Sequence, residues 1–276
     1  MDETPQLGFS SLNWECLASE LRIKVLELSH QAKAAHLASA LSCIDILTVL
    51  YESVLKLDPQ RPAWTDRDRF VLSKGHAAAA LYVVLAYKGF IDSAQLATYG
   101  QVGSLLEEHP SPKQPGVEAA TGSLGHGLPT ANGMVLGARI RRLTYRVFVL
   151  LSDGECNEGS VWEAAMFAAR HELNRLCAIV DFNKWQATGR SQDVLALDPL
   201  ADKWRSFGWD VEEIDGHDHQ ALFDAFSKEP NGSPRVFIAH TVKGKGVSFM
   251  EDDNNWHYRV PTREEIDAAR VELGLR

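Results

Sequence analysis

The sequence predicts an α/β fold, a mostly parallel sheet with helices on both faces, as a single domain over residues 1–276 that opens with a helical segment. Three observations carry this. The runs RVFVLL (146–151), CAIVDF (177–182) and RVFIAHT (235–241) are continuously apolar and rich in β-branched residues, the pattern of strands covered on both faces. Helical segments separate them, the order expected of βαβ units with right-handed crossovers. With 276 residues at 45% hydrophobic content, the chain is long enough to bury a substantial core.

The elements follow in order. From Trp14 to Leu57, apolar residues recur every three or four positions (Leu17, Leu21, Val25, Leu28, then Ile44, Leu47, Leu50), which predicts helices broken near AAHLAS. Asp58–Asp68, with Pro59 and Pro62, is a loop. RFVLSKGH predicts a short buried strand ending at His76, and AAAALYVVLAYKG a helix closed by Gly89. A further helix is expected over Ser93–Tyr99, then an irregular surface or active-site loop from Gly100 to Thr121. GSLGHGLPTANGMVLGARI opens with three glycines and continues as a small-residue helix, and PTREEIDAARVELGLR reads as a last helix. No internal repeat, low-complexity tract or linker interrupts this order.

The formal charge of −9, with basic residues scattered, argues against nucleic acid or an anionic membrane surface as the main partner. Four cysteines, Cys16, Cys43, Cys156 and Cys177, show no paired spacing, so neither a zinc cluster nor a disulfide framework is indicated. The N-terminal MDETPQLGFSS is acidic and polar, and no stretch approaches the roughly 20 apolar residues of a membrane span. A soluble cytoplasmic protein is the expectation.

The octet SDGECNEG (152–159) crowds carboxylates where the strand RVFVLL hands over to the helix VWEAAMFAA. Asp153 or Glu158 capping that helix is one reading. It leaves Gly154 unexplained, and it ignores Asn183, which ends the next apolar run one βαβ length later. In a parallel sheet ligands gather at the carboxyl ends of strands, where Asp153 and Asn183 would share one. A carboxylate with an amide oxygen suits Mg²⁺, which completes its octahedron with phosphate oxygens and water. Gly154 and the following helix N-terminus would then meet a diphosphate. DGHDH (215–219) reads as a turn with Asp215 or Asp218 capping the next helix, and KGKG (243–246) equally as a phosphate contact or a glycine-rich surface turn.

Asp-Gly followed at that distance by Asn resembles the thiamin diphosphate motif, with Ser152 in place of its first glycine. QAKAAHLASALSCIDIL, SKGHAAAALY, GVEAATGSLGHGL, SDGECNEGSVWEAAMFAARHELN, DFNKWQATG and HTVKGKGVSFMEDDNNWH then resemble, in order, the N-terminal half of transketolases, over residues 12–272. The chain is especially similar to the N-terminal subunit of a transketolase split into two polypeptides. That implies the diphosphate-binding domain of the thiamin diphosphate-binding fold, with Mg²⁺ on Asp153, Asn183 and the Trp185 carbonyl. It implies that Gly154, Gly122, Leu124 and His76 line the cofactor, and that Glu158 reaches a subunit interface. His36, His76, His109 and His257 fall where the family places histidines around the diphosphate and the sugar hydroxyls, suited to hydrogen bonding and proton transfer. Singly, His36 and His109 read as structural residues.

The chain departs from the family pattern at LASA after His36, at His126 where glutamine is common, and at Tyr258 and Arg259, whose bulk and charge point to an anionic sugar. The glutamate that activates the cofactor comes, in this family, from a pyrimidine-binding domain. With the resemblance running to the end of the chain, a separate C-terminal subunit is expected, in an α₂β₂ assembly. The implied reaction moves a two-carbon ketol unit from a ketose or its phosphate to an aldose. The alternative readings are the α subunit of a 2-oxo-acid dehydrogenase and a non-catalytic assembly subunit.

Overall fold

The computed structural model describes residues 12–275. Its helices are α1 (Leu12–Ala32), α2 (Leu37–Leu41), α3 (Ile44–Val49), α4 (Ala78–Tyr87), α5 (Gly127–Ile140), α6 (Gly159–Arg170), α7 (Ser191–Val194), α8 (Leu200–Ser206), α9 (His219–Phe226) and α10 (Arg263–Glu272). Its strands are β1 (Arg69–Leu72), β2 (Val147–Ser152), β3 (Leu176–Phe182), β4 (Asp210–Asp215) and β5 (Arg235–His240), all parallel, in the order β1-β2-β3-β5-β4.

Side chains alternate along each strand, and the alternation sorts the core into two layers. Phe148, Leu150, Cys177, Ile179 and Phe237 pack with α1–α4, α9 and α10. Val147, Val149, Leu151, Ala178, Val180 and Ile238 pack on the opposite face with α5, α6 and α8. Both faces are covered, which is why these strands read as unbroken apolar runs. α4 is buried almost all round, as its uniformly apolar sequence requires. α10 carries a capping box in which Thr262 and Glu265 exchange side-chain and backbone bonds, so its polar sequence still starts cleanly.

Two expectations need refinement, and one strand was not foreseen. β1 stops at Leu72, and His76 lies beyond it in a 3₁₀ turn (Gly75–Ala77): Gly75 packs on the Thr121–Gly122 backbone, where a Cβ would lie 2.6 Å from the Thr121 carbonyl carbon, and this contact turns the chain out of the sheet. Ser93–Thr98 is 3₁₀ rather than α. β4, with sequence DVEEID, is a strand without an apolar run because it lies at the sheet edge, where Glu212 and Glu213 answer Lys228 and His240 instead of entering a core. No helix among the described residues is long and apolar enough to cross a membrane.

The chain leaving β1 turns into α4 on one face and that leaving β2 into α6 on the other. The exits of β3 and β5 diverge in the same way, toward α8 and α10. Divergence of this kind at the carboxyl edge marks the usual place for a ligand in such sheets.

Candidate functional site

At that edge Ser152 of β2 pairs with Asp181 of β3, so Asp153 and Asn183 emerge side by side, each just past its strand. Asp153 is fully buried; its Oδ1 accepts from Gly154 N–H (2.9 Å) and its Oδ2 from Ser191 Oγ (2.7 Å). Among the described residues no cation forms an ion pair with it. Burial therefore dominates and pushes its pKa up to about 6. Asn183 is also buried; its Oδ1 accepts from the Trp185 N–H (3.1 Å), which draws that backbone against the same amide. A buried carboxylate with no ion-pair partner beside an amide oxygen fits a divalent cation. No group of three His, Cys, Asp or Glu side chains is placed to hold one among the described residues, so a cation here would rest on this two-residue set and backbone oxygen.

Behind these residues lies a polar layer that the sequence hid. Lys74 and Asp181, both fully buried, form an ion pair across the end of β2, and Asp181 also accepts from Ser42 Oγ (2.6 Å) and Thr241 Oγ1. Burial opposes both charges, but mutual attraction prevails and leaves the lysine raised and the aspartate lowered. Glu155, fully buried, accepts from Ser73 Oγ, the Gly125 N–H (2.8 Å) and the Ser152 N–H (3.3 Å). It thereby straps the 121–125 loop to the ends of β1 and β2. Thr121 Oγ1 bonds the Leu72 carbonyl (2.6 Å) in the same strap. Gly122 lies against the His109 ring, where a Cβ would sit 2.7 Å from Cδ2, and Leu124 follows one residue before Gly125.

Above the layer the four expected histidines come together. The His36 ring lies 4.9 Å from His257, 5.5 Å from His76 and 6.4 Å from His109. His36 holds a left-handed backbone (φ 67°), and its N–H donates to the His257 carbonyl at 2.7 Å. Burial lowers the pKa of His36, lowers that of His76 well below the imidazole range, and takes His257 to about 3. These three rings are neutral at physiological pH. KGKG is no surface turn: Lys243 is fully buried, with Nζ 2.7 Å from Asn254 Oδ1 and 3.2 Å from His257 Nδ1. Its burial, then the Lys74 charge, lowers its pKa to about 8. An ammonium only donates, so His257 Nδ1 accepts and Nε2 carries the ring proton.

Other candidates fall differently. Tyr258 is exposed, with its ring 4.8 Å from His257 and 6.5 Å from His36, at the rim of the cluster. Arg259 instead pairs with Glu265 of α10 and lies over Trp256 at 4.2 Å, so its charge is answered within the chain. His126 is exposed and bonds the Leu124 carbonyl (3.0 Å). Glu158 is exposed at the start of α6 without a side-chain capping bond. In DGHDH, Asp218 caps α9, accepting from the Gln220 and Ala221 N–H groups, while His217 and His219 turn inward to Asp45.

Residues 15–276 match the family described as transketolase, thiamine diphosphate binding domain. The chain is 42% identical to a subunit of the apulose-4-phosphate transketolase of Phocaeicola vulgatus, over 95% of this chain and 94% of that relative. It is 40% identical to a 6-deoxy-6-sulfo-D-fructose transketolase subunit of a Clostridium species, over 93% and 94% of the two chains. The crystal structure of transketolase from Campylobacter jejuni superposes with a TM-score of 0.92 at 29% identity; it aligns with 97% of this chain, which spans 43% of that longer one.

Proposed function

Given that this chain belongs to the transketolase family, we propose that it is the diphosphate-binding subunit of a two-chain transketolase. The observation that carries the proposal is the pairing of a cation-seeking strand edge, Asp153 with Asn183, and a cluster of neutral histidines linked to it through Lys74 and Lys243. In this reading Asp153, Asn183 and the Trp185 carbonyl hold Mg²⁺, and Gly154, Gly122, Leu124 and His76 line thiamin diphosphate. When bound, thiamin diphosphate would supply the carbanion chemistry that a ketol transfer needs.

The chain's own residues handle protons and hydroxyls. Neutral His36 and His76 can each donate to and accept from sugar hydroxyls, and His257, whose Nδ1 is taken by Lys243, donates through Nε2–H, so no imidazolium charge enters the pocket. Lys243 fixes the His257 tautomer so that Nε2–H faces away from the ammonium, and His109, held against Gly122, completes the wall.

A partner chain supplies the pyrimidine-binding domain and its activating glutamate. Glu158 and the exposed apolar residues Ile140, Met166 and Phe167 of α5 and α6 support a docking face on that side. Two copies of each chain, in the cytoplasm, make up the assembly. The relatives named for a sugar phosphate and for a sulfo-sugar favour a ketose bearing an acidic group. The test is to co-express the chain with its partner, then measure Mg²⁺-dependent thiamin diphosphate uptake and turnover of ketose phosphates against 2-oxo acids. Failure of the complex to take up the cofactor, or normal turnover by this chain alone, would sink the proposal.

A further inference from the structure

We propose that the Gln186 carboxamide donates a hydrogen bond to the anionic group received at the Asp153–Asn183 strand ends, an assignment that rests on the thiamin diphosphate reading above. Gln186 follows Trp185 in the loop leaving β3, and its N–H donates to the Gly189 carbonyl (2.8 Å), closing a tight turn. Its stem lies over Gly154: a Cβ on that glycine would sit 2.9 Å from Cγ, 3.2 Å from Cδ and 3.7 Å from Nε2 of Gln186. Nε2 is buried and has no hydrogen-bond partner.

A buried amide nitrogen with two idle protons is unfavourable, and structures rarely keep one unless something outside the protein satisfies it. Its position indicates what that is. Gly154 is the residue that follows Asp153, so the amide lies beside the turn that presents this buried carboxylate. In the thiamin diphosphate reading, a diphosphate drawn to a cation on Asp153 and Asn183 would pass beside Nε2. A neutral donor suits the place, because a lysine or arginine there would pair with Asp153 and compete with the metal. Among the described residues, the other buried side-chain atoms lacking a hydrogen bond lie in α3, α5 or α8, or belong to Glu118 and to Arg235 at the amino end of β5. None of them borders this edge.

The test replaces Gln186 with methionine, which keeps the length and removes the donor, in the chain assembled with its partner. Thiamin diphosphate and inorganic pyrophosphate, each with saturating Mg²⁺, are titrated by calorimetry, and the melting temperature of the ligand-free variant chain is recorded. Gln186→Met is expected to raise that melting temperature, since the idle donor is gone, and to weaken both ligands about tenfold, or about 1.4 kcal/mol. Gln186→Glu should weaken both further by repelling the anion. Unchanged affinity in Gln186→Met overturns the assignment. A lowered melting temperature overturns it too, because the amide would then serve the loop. Weaker thiamin diphosphate with unchanged pyrophosphate overturns it in favour of a contact to the cofactor's rings. If the unaltered complex binds no thiamin diphosphate, the functional reading falls and takes this assignment with it.

Discussion

Two Asp-Gly turns stand at carboxyl ends of strands, Asp153-Gly154 after β2 and Asp215-Gly216 at the end of β4, and they lead to opposite outcomes. The residues that follow the second turn complete a closed cluster. Asp45, buried, accepts from Arg22 (2.5 Å), His217 (2.7 Å) and His219 (2.8 Å), while His217 Nε2 accepts from the Val242 N–H (2.8 Å) and Arg22 Nε donates to the Lys245 carbonyl (3.0 Å). Burial would raise the Asp45 pKa, yet Arg22 and the two histidines outweigh it and hold the carboxyl well below its usual range. The first turn leaves Asp153 raised by burial and, among the described residues, without an ion-paired cation, the Lys74 charge acting on it only from a distance. A polar cluster whose partners are all internal belongs to folding; one whose charge lacks an internal answer is waiting for a ligand.

Substitutions should separate the two. Asp153→Asn is expected to abolish turnover and weaken cofactor uptake by more than about 100-fold, since loss of even an outer-shell partner of a metal ligand costs roughly 10–100-fold. The ligand-free chain should melt at or above the wild-type temperature, because a buried unpaired carboxylate has been removed. Asp45→Asn should do the reverse, costing about 3–5 kcal/mol of stability in denaturant titrations at neutral pH while cofactor affinity, measured below the transition, stays near wild type. If Asp45→Asn weakened the cofactor as much as Asp153→Asn does, the distinction would collapse. Because the folded pKa of Asp45 is depressed, its stabilisation is full above the unfolded value near 3.9 and fades below it, so the gap between wild type and Asp45→Asn should narrow only in acid under about pH 4.

The histidine cluster gives a smaller pH signature. Below about pH 6.5 the unfolded chain takes up protons that His36, His76 and His257 refuse when folded, so stability should fall as the pH drops through that region. His257→Gln should make that fall shallower; an unchanged slope would show that the ring is free to ionise. Smallest of all, Arg259→Ala should cost about 0.5–1 kcal/mol through its lost stacking and ion pair. Preference between phosphorylated and unphosphorylated sugars should not move, whereas Tyr258→Ala, at the rim, should shift it.

What the sequence made legible was the pattern of strands and the residues at their tips, because continuous apolar runs and the spacing of Asp153 and Asn183 are local signals. The layer beneath was not. Asp181 sits inside the run CAIVDF and Lys74 directly follows RFVLS, so each passes as an incidental charge. A lysine and an aspartate embedded in buried-strand patterns have to pair, and that rule was the one available signal. Glu155 is eclipsed by Glu158, three residues on, since only the fold decides which of two nearby acids is buried. The charge of Arg259 points toward a sugar, whereas its turn toward Glu265 depends on where α10 packs.

The main-chain link from His36 to the His257 carbonyl ties together two loops more than two hundred residues apart in sequence. That wall is stitched before any guest arrives, so little ordering entropy is forfeited when one does. A pocket of this kind sorts its visitors by silhouette, admitting a matching outline quickly and refusing to stretch around a poor one.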